Sequence, residues 1–546
     1  MTNKEDAMQG TMMNFPLTLP HMLERAGKLF PKVEVVSRMP DKSLHRYTYA
    51  DFYKRSKALA EALGKLGLKK GDRVGTLMWN HYAHLEAYFG VPIAGGVLHT
   101  LNLRLHPSDI AYIINHAGDR FLIVDDVLLK LVLAIREHIP GVEEIIVVPL
   151  TGQPVPEGFM DYEQFLDTAE GNFRYPELDE NDPLGMCYTS GTTGRPKGVV
   201  YTHRSTILHS FGIALPDALS LSMHDVFTPV VPMFHVNAWG LPYAAVMTGT
   251  KQVHPGPYLD AENLLDLYER ERVTATAGVP TIWLGILQAL EKEPDRWKLV
   301  PGMRMVVGGS AAPESMIRAF DKFNLRVIHA WGMTETSPLG TVSLLKPHLL
   351  ELDEDAQYAY RAKQGLPVPL VEVRAMTDDG EAPWDGKTMG ELQVRGAWVA
   401  SSYYNLPSET DKWTPDGWFR TGDVVTIDAE GYVKITDRTK DLIKSGGEWI
   451  SSQDLENALM SHPAVAEAAV IAVPHPKWAE RPLAAVVLRE GEELTAEELR
   501  EFLAPKFAKW WLPDAIVFVD EIPRTSTGKF MKAKLRERFK DWKWEE

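Results

Sequence analysis

Apolar strand-like runs alternate with helix-forming segments through the centre of this chain, and this alternation limits the folds that it can adopt. Residues 272–278 form one such run, and Pro280 then opens a helix at a position where its missing N–H is not needed. Residues 303–307 form the next run, which ends in a glycine-rich turn. Strands that alternate with helices predict a mainly parallel sheet, in which ligands collect at the carboxyl ends of the strands. We therefore predict an α/β fold with a large N-terminal domain of parallel-type sheets wrapped by helices.

The pattern changes in the last third of the chain. Three short runs with alternating apolar residues occur there, at 371–374, 390–396 and 431–435. Such runs are typical of a small antiparallel barrel. Five consecutive polar residues at 437–441 then separate this barrel from the remaining 105 residues, a length typical of a separate domain. We predict an N-terminal domain over 1–436, a hinge linker over 437–441 and a mobile α+β lid domain over 442–546.

The overall composition excludes several classes of protein. The 546-residue chain carries a formal net charge of −16, whereas a general nucleic-acid-binding protein would show a basic surface. No apolar run approaches the ~20 residues that span a bilayer, so we expect at most peripheral membrane contact. The polar N-terminus does not resemble a signal peptide, and the single cysteine, Cys187, fits a reducing cytosol. We therefore expect a cytoplasmic protein with small-molecule substrates and no nucleic-acid partner.

The strongest local motif is the run Tyr-Thr-Ser-Gly-Thr-Thr-Gly-Arg-Pro-Lys-Gly at 188–198. Its glycines and hydroxyl residues present many hydrogen-bond donors with little bulk, and successive backbone N–H groups in such turns form an anion-binding nest. A shorter loop of this composition is more often a plain hairpin turn, but this run is long and its Pro-Lys-Gly ending is specific. It lacks the Gly-Lys-Ser/Thr order of a Walker A loop. The residues expected to bind phosphate are Thr189, Ser190, Gly191, Thr192, Thr193, Gly194 and Lys197.

This loop resembles the signature loop of the adenylate-forming superfamily, which comprises acyl- and aryl-CoA synthetases, peptide-synthetase adenylation domains and beetle luciferases. Further motifs occur in the family's order, so the resemblance extends from about residue 15 to about residue 540. Within the superfamily the chain most resembles bacterial medium- and long-chain fatty acyl-CoA synthetases. The resemblance implies ATP and Mg²⁺ as cofactors, coenzyme A as a co-substrate and a fatty acid as the substrate.

The resemblance also assigns nucleotide contacts to two segments that follow strands. In the Trp-Gly-Met-Thr-Glu-Thr run at 331–336, it implies that Thr334 contacts the α-phosphate and that Glu335 holds Mg²⁺ together with Thr189. The family usually has tyrosine where this chain has Trp331, so the indole would stack near adenine without a phenol hydrogen bond. Taken alone, Thr-Glu is more often a capped helix start. The second segment, Gly-Gly-Ser-Ala-Ala-Pro at 308–313, resembles the family's adenine-binding segment and is called the adenine segment below. The other expected nucleotide contacts in the two segments are Gly309, Ser310, Ala311, Gly332 and Met333.

Later segments match the ribose, hinge and lid motifs. The resemblance implies that Asp423 accepts hydrogen bonds from the ribose hydroxyls and that Arg438 meets the same ribose. Lys440 stands at the hinge position, and Lys529, in a Gly-Lys motif, is the expected adenylation lysine; a lone lysine near a C-terminus would normally be a solvated charge. The loop that faces the active site during thioester formation has these expected contacts: Lys444, Gly446, Gly447 and Trp449. Trp449 fits packing against adenine and packing in the lid core equally well.

The run Phe-His-Val-Asn-Ala-Trp-Gly at 234–240 resembles the segment beside the acyl carboxylate. We expect His235 near that carboxylate, with Val236 and Trp239 lining an acyl tunnel. Aromatic residues at this spacing are more often plain core. No acidic or basic residue that could recognise an amino acid's ammonium group occurs between Val236 and Thr248, which favours a fatty acid.

Together these motifs predict an enzyme, an AMP-forming acid–thiol ligase that makes an acyl-adenylate and passes the acyl group to coenzyme A. One alternative is a standalone adenylation enzyme for another carboxylic acid or for a carrier-protein acceptor, and a luciferase-like oxygenation is more distant. A non-catalytic nucleotide-binding regulator is disfavoured because Lys529 and Glu335 are both present. Because the family members nearest this pattern include dimers, we expect a homodimer.

Overall fold

A computed structural model describes residues 10–189, 195–438, 441–445, 448–524 and 530–544. Its strands, in chain order, are β1 (Glu34–Arg38), β2 (Leu44–Thr48), β3 (Arg73–Leu77), β4 (Val97–Thr100), β5 (Asp119–Asp125), β6 (Glu144–Val148), β7 (Met160–Asp161), β8 (Pro183–Tyr188), β9 (Gly198–Thr202), β10 (Val226–Pro229), β11 (Lys251–His254), β12 (Ala275–Gly278), β13 (Met303–Val307), β14 (Leu325–Gly332), β15 (Leu339–Val342), β16 (Leu366–Pro367), β17 (Val371–Thr377), β18 (Gly380–Glu381), β19 (Gly390–Gly396), β20 (Phe419–Ile427), β21 (Val433–Arg438), β22 (Ile443–Ser445), β23 (Glu448–Ile450), β24 (Val465–His475), β25 (Ala479–Leu488) and β26 (Ala515–Phe518).

Helices connect most of these strands. In chain order they are α1 (Pro20–Leu29), α2 (Tyr49–Lys65), α3 (Tyr82–Ile93), α4 (Pro107–Ala117), α5 (Leu129–Ile135), α6 (Tyr162–Asp167), α7 (His203–Ala214), α8 (Val236–Trp239), α9 (Leu241–Thr248), α10 (Ala261–Glu271), α11 (Pro280–Lys292), α12 (Glu314–Asp321), α13 (Glu354–Arg361), α14 (Ser452–Met460), α15 (Ala496–Leu503) and α16 (Lys532–Arg538). Local sequence sets many of the helix starts: Thr48 and Asp51, for example, form a capping box at the start of α2. Among the described residues, no helix combines the length and the apolar character needed to cross a membrane.

The strands of two large sheets lie in about the first two-thirds of the chain. One has nine strands in the order β16-β15-β14-β13-β12-β10-β11-β1-β2, and the other has seven in the order β7-β6-β5-β3-β4-β8-β9. In the nine-stranded sheet the neighbours from β14 to β1 pair in parallel, and β14–β15, β15–β16 and β1–β2 are antiparallel. In the seven-stranded sheet the neighbours from β7 to β8 pair in parallel, whereas β8 and β9 are antiparallel. The predicted α/β architecture with parallel-type sheets is confirmed.

Helix α3 joins the two sheets. Every residue from Tyr82 to Ile93 is buried, and most of these residues are apolar, as expected for a helix inside the core. Its neighbours include β1 of the nine-stranded sheet and β3 and β4 of the seven-stranded sheet. A continuous core therefore fixes the carboxyl ends of strands from both sheets relative to each other.

Antiparallel sheets follow. Strands β17 to β21 form a five-stranded antiparallel sheet in the order β18-β17-β19-β20-β21, in the region where alternating runs predicted a small barrel. The last sheet has the order β23-β22-β25-β24, and β26 pairs with β25. Helices α14 and α16 pack against β24, which gives this last part of the chain the predicted α+β character.

Candidate active site

The glycine-rich segment after β13 lies at the carboxyl edge of the nine-stranded sheet. A Cβ atom on Gly308 would lie 3.1 Å from Cη2 of Trp239 and 3.2 Å from the carbonyl oxygen of Ala330, so a side chain there would crowd both neighbours. Gly309 has a φ of +84°, which glycine adopts without steric cost. Of the following residues, Ser310 is exposed and Ala311 is half-buried. The segment therefore presents a thin, accessible backbone surface, as the approach of a flat base requires.

A buried histidine anchors the end of this segment. His329 accepts a hydrogen bond at Nε2 from the backbone N–H of Ala312, over 3.4 Å, and its Nδ1 lies 3.0 Å from the carbonyl oxygen of Ala362. Burial lowers the pKa of His329 to about 4, so the ring is neutral near pH 7 and donates to that carbonyl from Nδ1. No sequence motif predicted this residue, because its role depends on a partner in another part of the chain.

Three residues predicted to bind the nucleoside lie together. The indole Nε1 of Trp331 donates to Asp423 Oδ2 over 2.9 Å, and Arg438 Nε lies 2.6 Å from Asp423 Oδ1. Strands β20 and β21 place Asp423 directly opposite Arg438. Each carboxylate oxygen has two lone pairs, so Asp423 retains capacity to accept ribose hydroxyls. Trp331 thus supplies a hydrogen bond to Asp423 that the family's tyrosine motif did not lead us to expect.

The Thr334–Glu335 pair occupies a short 3₁₀ turn directly after β14. The Thr334 carbonyl accepts from the Tyr201 hydroxyl over 2.8 Å, and the buried Glu335 accepts from the Tyr403 hydroxyl over 2.5 Å. Burial, reinforced by the Glu335 charge, raises the pKa of Tyr403 well above its usual value, so the phenol remains a donor. At the start of this turn, Gly332 is required, because a Cβ there would overlap the carbonyl of Pro338.

Strands β8 and β9 hold the two ends of the phosphate loop. Thr189 N–H donates to the Lys197 carbonyl over 2.9 Å, and the Lys197 N–H donates to Thr189 Oγ1 over 3.1 Å. The Lys197 ammonium lies 2.5 Å from Glu409 Oε2 and 5.2 Å from the centre of the Tyr403 ring. Tyr403 therefore contacts both Lys197 and Glu335. Sequence reasoning missed Tyr403 and Glu409, which stand in a loop without a recognised motif.

The segment assigned to the acyl group adopts an unusual backbone. The φ angles of Val236, Asn237, Ala238 and Trp239 are 39°, 53°, 48° and 59°, so α8 is a left-handed turn. This conformation costs about 1–2 kcal/mol for each residue other than glycine, with asparagine tolerated best. Val236 is buried against Cys187 of β8, while Trp239 is half-buried.

His235 lies next to the phosphate loop. Together with Thr189 it lines a small cavity at the carboxyl ends of the strands. The structure therefore brings the candidate acyl segment, the phosphate loop and the adenine segment to one place.

The remaining predicted residues lie outside what the structure describes. These are Ser190, Gly191, Thr192, Thr193, Gly194, Lys440, Gly446, Gly447 and Lys529, together with the side chains of Lys444 and Trp449. Within the described ranges, no group of three or more His, Cys, Asp or Glu side chains could hold a metal ion. Glu335 and Thr189 nevertheless offer oxygen donors of the kind that Mg²⁺ takes when one or two protein ligands and a substrate's phosphates hold it.

Comparisons with known proteins agree with this arrangement. A family model described as "AMP-binding enzyme" matches residues 23–404, and one described as "AMP-binding enzyme C-terminal domain" matches residues 454–529. A "Long-chain-fatty-acid--CoA ligase" of Thermus thermophilus is 53% identical over 98% of both chains. A "3-methylmercaptopropionyl-CoA ligase" of Ruegeria lacuscaerulensis is 46% identical over 98% of this chain and 99% of its own.

A solved structure gives the same result at the level of the fold. The anthranilate CoA ligase AuaEII, in complex with anthranoyl-AMP, superposes with a TM-score of 0.86 at 26% identity and covers 97% of this chain and 99% of its own. The first family match includes the loop at 188–198 and the glycine-rich segment at 308–313. This chain is therefore a member of the AMP-binding enzyme family.

Proposed function

We propose that this protein is an AMP-forming fatty acyl-CoA synthetase. It activates a fatty acid with ATP to an acyl-adenylate, with release of pyrophosphate, and then transfers the acyl group to coenzyme A, with release of AMP. The observation that carries the proposal is the junction of Trp331, Asp423 and Arg438 beside the glycine-rich segment, because these groups suit an adenosine moiety. The near full-length similarity to acyl-CoA ligases supports it.

In the first half-reaction all reactants are anions, so charge repulsion dominates the barrier. The fatty acid is already ionised near pH 7, and it needs no general base to attack the α-phosphorus. Preorganised positive groups and donors are needed instead, and we assign this role to Lys529 and Thr334 at the α-phosphate and to the loop residues 189–197. Glu335 and Thr189 would hold Mg²⁺, which neutralises phosphate charge when it is bound. Removal of one such partner typically slows the reaction on the order of 10²–10³-fold.

In the second half-reaction the thiol of coenzyme A attacks the acyl carbonyl and AMP leaves. We assign the lid loop with Lys444, Gly446, Gly447 and Trp449 to this step. Lys529 stands far from that loop in the sequence, so the lid over 442–546 must present different faces to the N-terminal domain in turn. Residues 437–441 form the hinge in this proposal, with Lys440 as the pivot.

Lys440→Pro tests this hinge. Proline fixes φ near −65° and restricts rotation at the pivot. We expect slower thioester formation from preformed acyl-adenylate, measured in a single turnover, while pyrophosphate release in the first step persists. Thioester formation at the wild-type rate in Lys440→Pro would remove the hinge from the mechanism.

The acyl group lies in this proposal beside His235, with Val236 and Trp239 along its chain. Two features support an apolar acid: the stretch from Val236 to Thr248 has no charged side chain, and α9 within it is almost wholly buried. The relative that acts on 3-methylmercaptopropionate supports the second candidate, a shorter acid, because its similarity to this chain is nearly as extensive. A carrier protein in place of coenzyme A is the remaining alternative.

We further propose that the protein is a cytoplasmic homodimer. The single cysteine fits a reducing compartment. Near the N-terminus, Met12, Met13 and Phe15 are 86%, 91% and 61% exposed, and such apolar side chains suit contact with a second copy. Light scattering on the purified protein decides this: a mass near twice 61.3 kDa is expected, and a monomer at micromolar concentration would contradict it.

An AMP-release assay tests the main proposal. The protein is incubated with MgATP and acids from acetate to palmitate, with and without coenzyme A. We expect AMP formation that requires coenzyme A and is greatest for a fatty acid of one length range. Acid-dependent pyrophosphate in stoichiometric amount, whatever the coenzyme A concentration, would point to another acceptor. Absence of both products with every acid would refute the proposal.

A further inference from the structure

The left-handed turn at 236–240 has an unfavourable backbone conformation, which the surrounding structure must stabilise. All five residues have positive φ angles, from 39° at Val236 to 72° at Gly240. Glycine adopts this conformation freely and asparagine tolerates it, but valine, alanine and tryptophan do not. Such backbone persists only where the surrounding structure over-determines it, and it concentrates at functional sites.

One side chain fastens this turn to the seven-stranded sheet. Asn237 Oδ1 accepts a hydrogen bond from Thr100 Oγ1 over 3.2 Å and another from Cys187 Sγ over 3.2 Å. Thr100 ends β4 and Cys187 lies in β8, and these two strands are neighbours. Thr100 is 3% exposed, Cys187 is 1% exposed and Asn237 is 5% exposed, so water does not compete for these hydrogen bonds.

The other end of the turn contacts the nine-stranded sheet. The Trp239 ring lies against Gly308, at the start of the adenine segment, where a Cβ would come within 3.1 Å of the ring. Gly240 lies against His209 of α7, where a Cβ would meet the ring at 2.6 Å. The turn therefore spans both sheets, with Asn237 fixed on one and Trp239 resting on the other.

We propose that Asn237 is a positioning residue: by accepting hydrogen bonds from Thr100 and Cys187 it holds the 236–240 turn left-handed and so keeps Trp239 against Gly308. This inference rests on the proposed function, in which Val236 and Trp239 line the acyl site. Loss of the amide lets the turn relax toward right-handed or extended backbone, and Trp239 leaves the adenine segment. The shape of the acyl site then changes without any change at the residues that contact phosphate.

The single thiol of the chain gives a readout that does not depend on catalysis. Cys187 packs against Val236 of the turn and is 1% exposed, so opening of the turn would give a maleimide access to it. For Asn237→Gly, which keeps the tolerance for positive φ and loses the acceptor, we expect labelling about tenfold faster than in the wild type. Thr100→Val removes one donor at constant shape and should act in the same direction, whereas Thr100→Ser keeps the donor and should label at the wild-type rate.

A second-site variant separates positioning from core packing. Ala238→Gly removes a side chain that opposes the left-handed turn, so in the Thr100→Val background it should restore slow labelling. If Asn237 and Thr100 only filled space, Ala238→Gly would have no restoring effect. Unchanged labelling in both Asn237→Gly and Thr100→Val, or failure of Ala238→Gly to slow it, overturns the proposal.

Kinetics complete the test. In Thr100→Val we expect the KM for the fatty acid to rise severalfold and its dependence on chain length to flatten, with the KM for ATP unchanged and recovery in Thr100→Ser. An equal rise in the KM for the fatty acid and in the KM for ATP, or a change in kcat alone, contradicts the assigned role. If no acid yields an adenylate even in the wild type, the proposed function fails, while the labelling series still decides what holds the turn.

Discussion

At the scale of single residues, Tyr403 is the contact that most directly tests the site. Its hydroxyl donates to the buried Glu335, and its ring lies beside the Lys197 ammonium. Tyr403→Phe removes one hydrogen bond from the buried Glu335 carboxylate, and hydrogen bonds to charged groups contribute about 1.5–3 kcal/mol. We expect adenylation, measured as pyrophosphate release, to slow roughly 10- to 100-fold and to need more Mg²⁺.

The neighbouring phenol is the matched control for that change. The Tyr404 ring lies 5.9 Å from that of His116, away from Glu335. Tyr404→Phe should therefore leave the Mg²⁺ requirement at its wild-type value. If the two variants behaved alike, the hydrogen bond from Tyr403 would have no role in positioning Glu335.

Asp423 provides a second prediction at this scale. Asp423→Asn keeps the shape of the side chain but removes the charge that pairs with Arg438 and suits hydroxyl donors. We expect the KM for ATP to rise about tenfold or more with a smaller change in the KM for the acid. Glu391→Gln, which breaks an exposed ion pair with Arg420 in the same sheet, is the control and should change neither value.

At the scale of elements, an ion pair connects helix α16 to helix α14 in the last part of the chain. Lys532 Nζ lies 2.7 Å from Glu456 Oε1, and the two side chains are only 13% and 10% exposed. Burial raises the pKa of Glu456 to about 7, because the lysine offsets only part of the lost hydration. Lys532→Met would leave the Glu456 carboxylate buried and unpaired, which typically costs roughly 3–5 kcal/mol.

Urea unfolding checks the Lys532 prediction. We expect a lower unfolding midpoint for the sheet and helices of the last part of the chain in Lys532→Met, and recovery when Glu456→Gln is added, since a neutral amide no longer needs the cation. Lys534→Met, at an exposed position of the same helix, should have little effect. Equal destabilisation by Lys532→Met and Lys534→Met would mean that the ion pair between Lys532 and Glu456 does not stabilise the protein.

The elements also show how far sequence reasoning reaches. Motifs that depend on local backbone shape were predictable: a Cβ on Gly332 would overlap a carbonyl, one on Gly308 would crowd its neighbours, and Gly309 has a positive φ. Contacts between distant segments were not: Tyr403 meets Glu335 across 68 positions. The left-handed turn at 236–240 was missed for a similar reason, because local propensity disfavours it and only the donors on β4 and β8 explain it.

At the scale of the whole molecule, buried histidines link stability to pH. Burial lowers the pKa of His84, His209 and His254 to about 3, and that of His203 and His329 to about 4. In the unfolded chain a histidine has a pKa of about 6.5, so unfolding binds protons below that value. The stability from these neutral rings is fully present above pH 6.5 and is lost as the pH falls toward 3. Each ring contributes up to about 1.4 kcal/mol per pH unit in this window.

His254 isolates this effect best. Its side chain is fully buried, and neither ring nitrogen has a hydrogen-bond partner among the described residues. His254→Leu removes one proton-binding group from the unfolded state and a buried polar group that costs about 1–3 kcal/mol in the folded state. We expect a higher melting temperature at pH 7 and a shallower loss of stability between pH 6.5 and 5, measured by calorimetry. His224→Gln, at an exposed histidine, should leave the dependence of stability on pH unchanged. A slope in His254→Leu as steep as in the wild type would mean that His254 is already protonated in the folded chain, in conflict with its burial.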